Sequence, residues 1–106
     1  MRMSPVDPRL STTFARMGLA FIELGRFDEA IVGGKKALRL NPHFLAAHHT
    51  VCLASAFAHL GRDAEAREAA ARVLELNPAF TISALIARLP KNANLIEGLR
   101  KAGLPE

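Results

Sequence analysis

Two stretches of this chain repeat one another. LGRFDEAIVGGKKALRLNP, from Leu24 to Pro42, and LGRDAEAREAAARVLELNP, from Leu60 to Pro78, align without a gap, agree at nine of nineteen positions and begin 36 residues apart. No other feature constrains the fold as strongly. A unit of about 20 to 50 residues that recurs at a fixed spacing is too small to bury its own apolar face, so its copies must stack on one another. Each copy opens with Leu-Gly-Arg, carries Glu-Ala shortly after and closes with Leu-x-Leu-Asn-Pro.

Local chemistry explains the recurring residues. Gly25 and Gly61 each follow an apolar-periodic stretch, where a helix end commonly takes a residue that tolerates positive φ. Asn41-Pro42 and Asn77-Pro78 stop one helix and start the next, because proline cannot donate to a continuing helix but suits the first turn of a new one, with Asn as its cap. The pattern therefore predicts antiparallel helices at about 8–24, 27–40, 42–60 and 63–76, followed by two shorter ones. Phe14, Met17, Phe21 and Leu24 share one face of the first, and Thr50, Leu53, Phe57 and Leu60 repeat that stripe in the third. The second and fourth carry Ala30, Ala37 and Leu40, and Ala66, Val73 and Leu76, small enough for close approach to their neighbours.

The chain here resembles the tetratricopeptide-repeat family, whose helix-turn-helix unit of about 34 residues stacks into a right-handed superhelix. Its pattern is matched by Phe14, Met17-Gly18, Phe21, Ala30, Gly34 and Pro42 in the first copy, and by Thr50, Leu53-Ala54, Phe57, Ala66, Ala70 and Pro78 in the second. Thr50 departs from the leading aromatic, and the spacing of 36 exceeds 34, with the extra pair assigned to the helix that begins after Asn41. The resemblance implies an all-α fold, a right-handed α-solenoid of antiparallel helix pairs with C-terminal capping helices. It divides the chain into 1–8, a remnant of a preceding repeat and helix cap; 9–42, repeat one; 43–80, repeat two; and 81–106, capping helices. Phe80, Ile82, Leu85, Ile86 and Leu89, then Leu95, Ile96 and Leu99, supply the apolar faces of the cap, since an array needs its last face covered. The closing segment, FTISALIARLPKNANLIEGLRKAGLPE, also resembles the end of repeat-bearing bacterial class III adenylate or guanylate cyclases, whose catalytic domain lies upstream. No part of that domain is matched in this chain.

Composition narrows the function. One cysteine, Cys52, precludes an internal disulfide and fits a reducing compartment, and no apolar run spans a membrane, so the expectation is a cytoplasmic protein with no membrane insertion. The formal charge is +4, but the basic residues are scattered and the six Phe, the only aromatics, fall at core-like spacing. Neither a basic stripe nor stacking aromatics point to nucleic acid.

His48, Cys52, Ser55 and His59 recur at steps of four, three and four, on one face of the third helix. Roughly 16 Å of helix rise separates His48 from His59, so of these only His48 with Cys52 has a spacing that chelates. A metal or small-ligand site at that pair is one reading, and a polar groove lining the other. Neither Cys52 nor Ser55 has an orienting carboxylate at helical spacing, so no catalytic residue, no cofactor and no enzymatic activity are assigned. By resemblance the concave, partner-binding face is Thr12, Ala15, Arg16, Leu19 and Glu23 from the first repeat, with His48, Val51, Cys52, Ser55 and His59 from the second. A mixed apolar and weakly basic groove suits a peptide or a helix of another protein. The expected function is a non-catalytic interaction scaffold, the C-terminal part of a larger bacterial signalling or regulatory protein, with a regulatory or dimerisation region of a class III adenylate or guanylate cyclase as the alternative. Gly33-Gly34 is anomalous inside a helix; close packing of Gly34 on the next helix is its expected cause. Finally, Arg2-Met3-Ser4-Pro5 parallels Arg39-Leu40-Asn41-Pro42 and Glu75-Leu76-Asn77-Pro78. Read as the last residues of a missing repeat, it implies an uncovered apolar face on the first helix and a homodimer formed through it.

Overall fold

A computed structural model describes residues 8–40, 46–89 and 91–106, with side chains in the first helix from 13 onward except Phe14. The parallel drawn at residues 2–5, the Asn41-Pro42 junction, Pro90 and the side chain of Thr12 lie outside the described residues. All regular structure among those described is helical: α1 (Pro8–Glu23), α2 (Phe27–Leu40), α3 (Ala46–His59), α4 (Asp63–Leu76), α5 (Ile82–Arg88) and α6 (Ala93–Lys101). Helices α1 and α2 form one antiparallel pair and α3 and α4 the next, as the repeat predicts, and the pairs stack through α2 on α3.

The recurring Leu-Gly-Arg has a structural account. Gly25 and Gly61 adopt φ of 78° and 75°. At the first turn Gly25 donates to Ile22 and Arg26 to Phe21, at 3.0 and 2.7 Å; at the second, Gly61 donates to Ala58 and Arg62 to Phe57, at 3.2 and 2.9 Å. Both are Schellman closures, which use the orphan carbonyls of a helix end and need a left-handed residue. The arginine then turns back. Arg26 lies over the Phe21 ring and pairs with Glu29, while Arg62 lies over Phe57 and pairs with Glu65. The shared Arg-x-x-Glu is thus a clip from the start of each second helix onto the aromatic of the first. A third Schellman closure, around Gly103 at φ 90°, ends α6.

Helix α3 is the hub, packed by α2, α4 and α6, and less extensively by α1. It is buried almost all round, from His49 to Ala58. Thr50 takes the aromatic position without an unpaired hydroxyl, because Oγ1 donates to the Ala46 carbonyl one turn back at 2.7 Å. The apolar stripe expected on α1 requires correction. Among its described side chains Ala15, Gly18 and Ile22 are buried and Phe21 is half-buried against the core, whereas Met17 is 42% exposed and Leu24, just past the helix, 67% exposed. Spacing of three and four residues identifies a face, but which face meets a neighbour depends on what stacks there. Gly34 behaves as expected, with any Cβ only 3.0 Å from Leu53 Cδ2, whereas Gly33 faces open space.

Candidate functional site

Helices α1 and α3 are the first members of the two pairs, and α6 crosses both of them. Its placement is polar as well as apolar. Asn92 caps α6 by accepting from Leu95 N–H at 3.2 Å and donates through Nδ2 to the Leu19 carbonyl at 3.1 Å. Asn94 donates to the carbonyls of Ile22 and Glu23, at 3.0 and 3.2 Å. These acceptors lie in the last turns of α1, where helix carbonyls carry partial negative charge. On the α3 side Ser55, fully buried, donates to the Leu95 carbonyl at 3.0 Å. His59 Nε2 meets the Asn94 carbonyl at 2.6 Å, so that nitrogen carries the hydrogen, and its ring stacks on Phe27 at 4.3 Å. Leu95 and Leu99 complete the contact, both fully buried.

The sequence-predicted face therefore divides in two. Ser55 and His59 are engaged by α6, and Glu23 lends it a backbone carbonyl while its side chain stays exposed. Arg16 is exposed and Ala15 buried. Leu19, His48, Val51 and Cys52 line a pocket of about 390 Å³, closed on the far side by Phe80, Leu85, Arg88, Leu89 and Leu95. Its walls are mostly apolar, with His48 and Arg88 as its basic groups. Asn92, Asn94 and Gly98, which fix α6 across this face, were not anticipated from the sequence. Only Asn92 had a readable signal, as a cap residue ahead of an apolar-periodic segment.

The family model for the tetratricopeptide repeat matches residues 11–44 and 53–80. The chain belongs to the tetratricopeptide-repeat family. No curated protein and no solved structure matches it. The repeats make it an all-helical array of stacked pairs of the kind that serves as a protein-interaction scaffold, and no described helix is long and apolar enough to cross a membrane.

Within the repeat domain the electrostatics bear on the His48–Cys52 reading. Burial pushes the Cys52 thiol up to about 12, so at neutral pH it holds its proton and lacks the thiolate that a metal takes. Burial also lowers His48 below 6.5, against a hydrogen bond to the Ala15 backbone and assisted by Arg88. His49 is lowered by burial and by the neighbouring His48, whose ring it meets edge-on at 6.1 Å. Both rings are neutral at pH 7, and each leaves Nε2 buried without a hydrogen-bond partner. Among the described residues no three His, Cys, Asp or Glu side chains converge on one point. The arrangement around His48 and Cys52 offers apolar contact and hydrogen bonds.

Proposed function

We propose that this repeat domain is a non-catalytic scaffold that holds a peptide or helical segment of a partner on the inner face of α1 and α3, around Thr12, Ala15, Arg16, Leu19, Glu23, His48, Val51, Cys52, Ser55 and His59. The observation that carries the reading is the pocket beside α6. It is a mostly apolar recess with two basic groups, His48 and Arg88, and such a recess anchors an apolar side chain of a bound segment. Photo-cross-linkers placed at Arg16, on the inner side, and at Arg67, exposed on α4, test it. A partner captured from Arg16 and not from Arg67 supports the reading, and equal capture from both counts against it.

A cytoplasmic setting suits the single reduced, buried thiol. The segment from Gly98 to Glu106, with its resemblance to the ends of class III cyclases, favours a second reading in which the domain regulates or dimerises a larger signalling enzyme. A cyclase domain in frame upstream of Met1 would support that reading, and its absence would remove it. Self-association through α1 is part of the proposal, because Met17 and Val32, 42% and 66% exposed, flank a shallow apolar recess with Phe21 and Gly33.

A further inference from the structure

Within residues 82–106 helix α6 packs on α3 and α1 more extensively than on α5, and backbone hydrogen bonds join the two ends of the segment. The Ile82 and Ser83 N–H groups donate to the carbonyls of Pro105 and Glu106, at 2.8 and 2.7 Å, so the chain's end ties back onto the start of α5. Arg100 pairs with the Glu106 side chain at 3.1 Å. Helix α5 packs chiefly on α6, and the 390 Å³ pocket separates it from α1 and α3. The C-terminal unit therefore meets the inner face mainly through α6.

That crossing has the character of recognition. Two side-chain amides seek helix-end carbonyls of α1, a serine hydroxyl of α3 seeks a carbonyl of α6, and two leucines fill the space between. At the crossing point stands Gly98. A Cβ there would lie 2.7 Å from the Ser55 carbonyl oxygen and 2.8 Å from Ser55 Cα, both backbone atoms with no rotamer by which to withdraw. The groove is thus shaped for a helix that lacks a side chain one turn after Asn94. Only nine residues long, α6 has little helical stability of its own and holds its shape by docking.

We propose that the inner face of α1 and α3 is a receptor for an amphipathic helix of the form Asn-x-Asn-Leu-Ile-x-Gly-Leu, that α6 is its resident occupant, and that a partner helix of the same chemistry takes its place. The proposal rests on the scaffold reading and specifies the partner: a helix with two amides at its start and a glycine one turn later, not an extended chain and not an acidic tail. Access to the groove is set by competition between the tethered helix and the incoming one. Because α6 is always close by, a free ligand must overcome a high effective concentration of it.

The test uses the full chain and a fluorescent synthetic peptide covering residues 91–106. Gly98→Ala in the chain lifts its own α6 from Ser55, and Asn94→Ala removes the amide clamp without adding bulk. Fluorescence anisotropy is expected to show the peptide binding the Gly98→Ala chain at least about tenfold more tightly than the unaltered chain, equivalent to 1.4 kcal/mol. Asn94→Ala should lie between them, and a peptide carrying Gly98→Ala should bind none of the three. Equal binding to all three chains, or binding to none, overturns the proposal. Loss of the helical circular dichroism in both variants overturns it too, since α6 would then be an inseparable part of the core. No outside protein enters the assay, so its failure leaves the cross-linking test of the scaffold reading standing.

Discussion

Gly33 and Gly34 are adjacent in α2, share the same helical propensity cost, and differ in what a methyl group would meet. Replacing glycine by alanine inside a helix gains about 0.8–1.0 kcal/mol from propensity. At Gly33 nothing lies within 4 Å of the new Cβ, so Gly33→Ala keeps the whole gain. At Gly34 the Cβ would stand 3.0 Å from Leu53 Cδ2 and 3.2 Å from Cγ. Carbon atoms prefer about 3.5–4.0 Å, so Leu53 has to move by several tenths of an ångström. Leu53 is only 7% exposed and packed in the hub helix, where overpacking typically costs about 1–3 kcal/mol. Gly34→Ala is therefore neutral or destabilising by up to about 2 kcal/mol, and the two variants differ by at least about 1 kcal/mol. Urea unfolding followed at 222 nm measures both, and in thermal unfolding Gly33→Ala should raise Tm by about 4–8 °C. The decisive arm is a double-mutant cycle: in a Leu53→Ala background the clash is gone, and Gly34→Ala should become stabilising by the propensity amount. Equal stabilisation by the two single variants, or no change in the Gly34→Ala effect when Leu53 is truncated, would refute the packing argument.

Three other outcomes follow from the buried polar groups and the exposed apolar ones. Because the folded chain holds His48 and His49 below 6.5, the unfolded chain takes up protons first as pH falls through that value. Stability present above 6.5 should decline below it; a urea midpoint unchanged between pH of about 7.5 and 5 would contradict this, and His48→Gln should flatten the slope. Cys52, buried and pushed up to about 12, should resist Ellman's reagent in the native chain and react promptly in urea, whereas fast native labelling would show an accessible thiolate. Light scattering should show a concentration-dependent mass that Met17→Glu returns to monomer, and a strictly monomeric unaltered chain would end the self-association proposal.

The fold was legible because its determinants are local and occur twice. Gly25 and Gly61 mark helix ends wherever they stand, since the requirement for positive φ is met or failed within a few residues. Small residues at Ala30, Gly34, Ala66 and Ala70 announce close approach in the same way. The burial pattern of α1 was less legible. Periodicity put Met17 with Phe21, but a stripe at helical spacing records the face suited to a neighbour and not whether one is there. Thr50 shows the converse: a polar residue at an aromatic position was an anomaly in the sequence, and it resolves once its hydroxyl is seen to bond one turn back in its own helix.

The site was less legible for a different physical reason. The repeat positions on the inner face could be enumerated, but what covers them is set by contacts between residues some 35 to 73 positions apart. Most of these partners are backbone carbonyls, at Leu19, Ile22, Glu23, Asn94 and Leu95. A carbonyl has no sequence signature, so no complementary residue type betrays it. Asn94 reads as an ordinary polar residue in a short helix, Ser55 as part of a groove lining, and Gly98 as a weak helix former. Placed together they form a lock in which the hydroxyl, the amides and the missing side chain each depend on the others.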